Sequence, residues 1–316
     1  MVETNIHYPT DSSLLGDGDR VLTRLMKKVT AIAGAVGTKV RDSMRSVQRR
    51  VAEIARASRA KGEKGKKKLK PLYRKLLGIT GRVIGQARHF SAEIATGVKR
   101  SNDVLQQAKL QALKSRIDDL VETVKKVIHQ TKARVFRGNT HVEGKILSIF
   151  ETSTEIIRKG KASKPTEFGK MIKIQEAENQ IVIDFEVYDQ RPSDSDLLIP
   201  AIETHQMLLG CTPNLAAADA GFYSAKNVAE AEQMGVKRVS VPNRSTKIAA
   251  RKQYQKQRWF KKGQKWRTGC EGRISLLKRR HGLRRSLYKK AAGIKRWVGL
   301  GVIADNLINL GKAMAK

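Results

Sequence analysis

The period of the hydrophobic pattern changes once along this chain, and that change limits the folds open to it. From residue 13 to residue 135 apolar side chains recur three and four residues apart: Leu22, Leu25 and Met26; Val47, Val51, Ile54 and Ala55; Leu105, Leu110, Leu113, Ile117, Leu120, Val124 and Ile128. Side chains at that spacing share one face of an α-helix, so the zone reads as a basic bundle of three to five amphipathic helices. "KGEKGKKKLKP" at 61–71 interrupts the spacing and reads as an exposed basic connector.

Beyond residue 136 short β-rich runs alternate with helical ones. "KILSIF" and "EIIRKGK" read as strands, and "KMIKIQEAENQIVIDFEVYD" as a hairpin around "EAENQ". "SDSDLLIPAIETHQMLLG" has helical spacing closed by Gly210. "NLAAADA" is a short buried strand, "SAKNVAEAEQMG" a helix entered by Ser224, and "VKRVSVP" a further strand. Helices follow over 245–258, 270–280 and 294–313. The succession predicts a mixed α/β sheet with helices packed on it.

Charge narrows the partner. Lys and Arg number 64 against 29 Asp and Glu in 316 residues, a formal charge of +35. A surplus of that size favours a polyanion, usually nucleic acid. No run of eighteen apolar residues exists, so no membrane span is expected; Asp305 and two Asn interrupt the apolar tail segment, which reads as a buried helix. "VETNIHYPTDSS" after Met1 has no basic or apolar leader pattern. Cys211 and Cys270 lie far apart without zinc spacing and read as free thiols. "GAVGTKV" at 34–40 lacks the ending of a P-loop, so no nucleotide cofactor is expected.

Two acids stand out. Asp219 ends the strand "NLAAA", where α/β sheets place ligands; alone, it reads equally as a turn or N-cap acid. Glu271 sits among Arg267, Arg273, Lys278, Arg279 and Arg280; alone, it reads as an acid favoured by a helix N-terminus. Together, two carboxylates in basic surroundings suit Mg²⁺, which binds a few carboxylates plus substrate phosphate oxygens. Neighbouring Arg and Lys suit the phosphates. Tyr254, Trp259, Phe260 and Trp266 are set among basic residues and would either stack on bases or seal a helix onto the core. Glu167 and Lys170 are placed at a sheet edge, touching DNA or simply on the surface.

The segments "AADAGFYSAKN", "GVKRVSVPNRS", "RWFKKGQKWRTGCEGRISLLKRRHGL" and "KRWVGLGVIADNLINLG", with "VETNIHYPTDSSLL" and "GKASKPTEFGK", resemble bacterial insertion-sequence transposases of the DDE type. The resemblance implies an RNase H-like catalytic fold, interrupted after its first strand by the helical block. The implied division is 1–12 for the remnant of the first catalytic strand, 13–135 for the basic helical insertion and 136–316 for the catalytic domain. It implies metal-dependent DNA cleavage at element ends, then strand transfer into target DNA, with Mg²⁺ or Mn²⁺. The implied partner is double-stranded DNA, bound by a homo-oligomer in the bacterial cytoplasm and nucleoid.

Residue by residue, Asp219 matches the family's second acid and Glu271 its third, both as metal ligands. Relatives carry Tyr, Arg, Glu and Lys around the last acid with two, three and six residues between them. Arg267 and Lys278 fit that pattern as phosphate contacts, whereas Gln264 stands at the Tyr position. Arg273, Arg279 and Arg280 join the expected DNA-binding set. The first acid of the family falls upstream of Met1, with Asp11 and Glu3 as poor substitutes. The chain is therefore expected to be an N-terminally truncated, catalytically defective transposase, or else a non-catalytic basic DNA-binding remnant.

Overall fold

The computed structural model describes residues 1–60, 62–158 and 166–315. Two compact units emerge, Ile6–Thr154 and a second made of Met1–Asn5 with Glu155–Lys316. The expected divisions were 12/13 and 135/136. The flanks fall within the helical unit for a local reason. Thr10 caps the first helix, and the Ile146 N–H is bound by Gln130 at 2.9 Å.

Among the described residues four helices build the first unit: α1 Asp11–Ala33, α2 Met44–Ala57, α3 Gly62–Ala95 and α4 Val104–Arg137. Thr10 closes a capping box with Ser13, Asp103 caps α4, and Gly138 ends α4 in the left-handed conformation. The expected apolar positions largely face inward: Leu22, Leu25, Met26, Val47, Ile54, Leu110, Ile117 and Val124 are buried in one core. Leu105 and Ala55 are exposed, at the frayed edge of their stripes. Gly18 is required where α1 meets α4, since a Cβ there would lie 2.6 Å from Val124.

Two expectations are corrected. Residues 62–71 are no connector; α3 runs through Pro71, because Leu69, Leu72 and Tyr73 add to the same apolar face. Lys61 lies outside the described residues. "KILSIF" forms no strand either, because Ile146 and Ile149 pack on the helical core. The segment 34–40 is held by Lys99, whose ammonium reaches Thr38 O at 3.3 Å and Glu93 at 3.3 Å over the Phe90 ring.

Asp19 is buried in this core. It accepts from Thr80 at 2.9 Å, while its other oxygen has no hydrogen-bond partner. Burial lifts its pKa from 3.8 to about 7. The folded chain therefore keeps the proton that the unfolded chain releases near 3.8. Stability falls as pH rises through that window and levels off above about 7. Asp19→Asn is expected to flatten this slope, as read by urea unfolding at pH 5 and pH 8.

Among the described residues the second unit holds seven short strands. β1 Val2–Glu3, β2 Glu155–Arg158 and β3 Thr166–Lys170 form an antiparallel sheet in the order β1-β3-β2. Gly169 lets β1 approach, for a Cβ would meet Val2 O at 2.1 Å. β4 Ile172–Glu176 and β5 Val182–Val187 form the expected hairpin. Then come α5 Leu198–Leu209, closed by left-handed Gly210, β6 Leu215–Ala217, α6 Ala225–Gln233 capped by Ser224, and β7 Arg238–Ser240. β6 and β7 are parallel, joined through α6. The chain ends with α7 Ala249–Lys256, α8 Arg258–Arg280 and α9 Lys290–Met314. The unit is thus mixed α/β. One core lies between α8, α9 and the hairpin, and another between α5, α6 and the parallel pair.

Candidate functional site

The site is built where α8 crosses the C-terminal ends of the parallel strands. Gly263 allows the crossing; a Cβ there would lie 2.9 Å from the Ser240 side chain. One turn of side chains then locks it. Gln264 donates to Ser240 O at 2.5 Å and to Ala218 O at 3.3 Å, and Ser240 donates to Phe260 O at 2.9 Å. Gln264, noted from sequence only as a departure at the Tyr position, thus joins both strand ends to the helix. Its spacing from Arg267 was the available signal.

Asp219 lies two residues past β6, and Glu271 lies within α8, seven residues after Gln264 on the same face. Glu271 is therefore mid-helix, because α8 begins at Arg258 rather than at 270. Arg267 sits between the acids. The same nitrogen, Nη1, contacts Asp219 Oδ1 at 2.5 Å and Glu271 Oε1 at 3.2 Å. The two oxygens can be no farther apart than the sum of these contacts. Both acids are open, with side chains 55% and 63% exposed, whereas Arg267 is 17% exposed. Two hard oxygens converging on one cation-sized position fit a divalent ion that keeps waters and takes phosphate oxygens. Among the described residues no group of three His, Cys, Asp or Glu side chains is poised to hold a metal.

Arg273 is corrected. It is 7% exposed and faces inward, with Asp305 at 3.0 Å, Glu176 at 3.5 Å and a hydrogen bond to Gln180. His281 Nε2 lies 3.4 Å from Asp305. Arg273 therefore ties α8 to α9 and the hairpin and offers no surface to DNA. Arg279 and Arg280 are exposed, and Lys278 is half-buried. These three bases also suit the negative end of the helix dipole.

Glu167 and Lys170 do not line an edge, since β3 is the central strand of its sheet. Lys170 is buried on Glu155 at 3.0 Å and Asp189 O at 2.7 Å. Residues 160–165 of "GKASKPTEFGK" lie outside the described residues. Tyr254, Trp259 and Phe260 pack edge to face at 5.3–5.8 Å, with Arg251 stacked on Tyr254, and so seal α7 onto α8. Trp266 stays half-exposed outside that cluster. Burial, then Glu176, pushes the Cys270 thiol up to about 12, so it stays protonated beside the acids. Asp11 pairs with Arg134 inside the helical unit, and Glu3 with Arg285 at 3.2 Å.

A mixed α/β unit that presents carboxylates and cations at the ends of parallel strands holds them where such sheets place their ligands. Residues 142–307, more than half of the chain, match the family described as Transposase DDE domain, and the chain belongs to that family. No curated protein and no solved structure matches it. Membership indicates transposition as the function, DNA as the partner and divalent metal as the family's usual requirement. Among the described residues no helix is long and apolar enough to cross a membrane.

Proposed function

We propose that the chain is a transposase of insertion-sequence ends whose Asp219 and Glu271 hold catalytic Mg²⁺ or Mn²⁺. The observation that carries this reading is the convergence of both acids on one nitrogen of Arg267. A bound ion would supply the charge that activates the attacking oxygen and stabilises the leaving one. The chain's own residues then have distinct parts. Asp219 and Glu271 orient on a rigid strand end and helix. Arg267, released from them, turns to a phosphate oxygen, and Lys278, Arg279 and Arg280 hold flanking phosphates. Water attacks phosphorus and the bond to the 3′ oxygen breaks, leaving a 5′-phosphate and a 3′-hydroxyl that takes up a proton; that 3′-hydroxyl then gives up its proton and bonds to a target phosphorus as the target strand's own 3′ oxygen leaves.

The fold reading is an RNase H-like arrangement with the helical unit inserted after β1. Its support is the pairing of Val2 with Lys170, which brings chain from both sides of the helical unit into one sheet. A homo-oligomer is supported by α9, which exposes Leu300, Ile303, Leu307, Leu310 and Met314 at alternating spacings of three and four. Ile303→Asp with Leu307→Asp is expected to lower the sedimentation mass of the chain. An unchanged mass would discard α9 as the contact. The enzymatic reading is tested by nicking of plasmid DNA carrying the element's ends in Mg²⁺ or Mn²⁺, using the chain joined before Met1 to a segment that supplies the family's first acid; failure of that longer chain to nick removes the reading.

A further inference from the structure

We infer that the helical unit carries a binding face for the sugar-phosphate backbone of duplex DNA, formed by the first turn of α2 and the outward side of α3. The inference rests on DNA as the partner, and it is independent of Asp219 and Glu271. Its centre is an open concavity of about 630 Å³ lined by Arg41, Arg45 and Arg82, with Ser43, Ser46 and Gln48 between them. All three arginines are exposed, and none is within ion-pair distance of a carboxylate among the described residues, although the charge of Arg45 acts on Asp42. Asp42 at the rim is already held by Lys27 at 2.5 Å and by the Met44 N–H. The first turn of α2 contains no acid, so its positive dipole end adds to the same field.

The adjoining face of α3 extends this field. Between Glu63 and Glu93 the chain has nine Lys or Arg and no carboxylate. Lys67, Lys70, Arg74, Lys75 and Arg82 are exposed along it. Gly78, Gly81 and Gly85 share this face of the helix. Glycine weakens a helix interior, and nothing in this chain calls for it here. A Cβ on Gly81 or Gly85 would meet nothing within 4 Å, and on Gly78 only Arg82 at 3.9 Å. The result is a flat track edged by cations, suited to close approach by another backbone.

A uniformly basic, merely solvated surface would not be sided in this way. A second concavity, of about 500 Å³ where α3 meets α4, is lined instead by Asp118, Asp119 and Glu122 with Arg88 and Lys126. The occupant follows from chemistry. Guanidinium forks match phosphate oxygens. Residues 41–96 contain Tyr73 and Phe90 as their Phe, Tyr or Trp side chains, and both are buried, so this face lacks the row of exposed rings on which a single strand stacks its bases. Duplex backbone, read without sequence, is what remains.

The test is fluorescence anisotropy of the full chain on a generic duplex across a salt series, with folding checked by circular dichroism. Arg41→Ala, Arg45→Ala and Arg82→Ala together should flatten the log–log salt slope by about three and weaken binding throughout. A matched loss of charge on α4, Lys109→Ala, Arg116→Ala and Lys126→Ala, should leave the slope within about one. Equal effects of the two triples would overturn the face while leaving DNA binding intact. A parent chain that binds no duplex would overturn both the face and the DNA reading. Gly81→Ala with Gly85→Ala provides a second measurement free of folding loss. It should raise the unfolding temperature yet weaken binding several-fold; unchanged binding on a more stable chain would overturn the close approach.

Discussion

Arg273→Ala is expected to destabilise the chain by about 3–5 kcal/mol, a large part of the margin of an ordinary domain. The side chain lies between Asp305 and Glu176, whose own side chains are 2% and 5% exposed. Truncation leaves two carboxylates in a dry interface with their countercharge gone. Burial already raises the Glu176 pKa, with Arg273 as the opposing influence, so its removal leaves burial unopposed. Arg273→Lys should recover only part of the loss, because one ammonium cannot reproduce a fork that also bonds Gln180. Urea unfolding measures this directly. A cost below about 1 kcal/mol, the range of an exposed pair, would show that the network is open to water.

That residue also shows what was legible in the sequence. Arg273 had been grouped with Lys278, Arg279 and Arg280 because charge density says nothing of direction. Direction follows from helix phase once α8 is known to begin at Arg258. Relative to Arg267, Glu271 is rotated by about 40° and Lys278 by about 20°, but Arg273 by about 240°. A clue was present in α9, where Asp305 interrupts an apolar helix: a buried acid needs a buried cation. The hairpin at 172–187, the Gly210 and Ser224 helix ends and the strand leading to Asp219 were readable, since each depends on local turn or cap chemistry. The stretch 62–71 was misread because Gly and Pro outweighed its Lys residues, which favour helix, and the apolar face continued through Leu69, Leu72 and Tyr73. The convergence of Asp219 and Glu271 on one nitrogen depends on a strand end and a helix 48 residues apart, and no local pattern states it.

In a chain that carries the family's first acid before Met1, Glu271→Gln and Asp219→Asn are expected to lower metal-dependent nicking of end DNA by on the order of 10²-fold or more, since a bound ion contributes several kcal/mol of charge stabilisation. DNA binding should hold or rise slightly, because each change removes a negative charge from a surface that meets phosphate. Binding lost in step with nicking would mean that the substitutions disturbed the fold rather than the chemistry. Arg267→Gln should give the opposite pairing. The guanidinium now neutralises both acids at 2.5 and 3.2 Å, so it competes with any cation for them. Its removal should tighten Mn²⁺ binding, measured by electron paramagnetic resonance on the DNA-free chain, while weakening the hold on phosphate. If Arg267→Gln instead loosened Mn²⁺, the arginine would be a support for the acids and not their stand-in cation. If neither acid substitution altered Mn²⁺ binding, the pair would be a surface ion triad and the metal reading would fail.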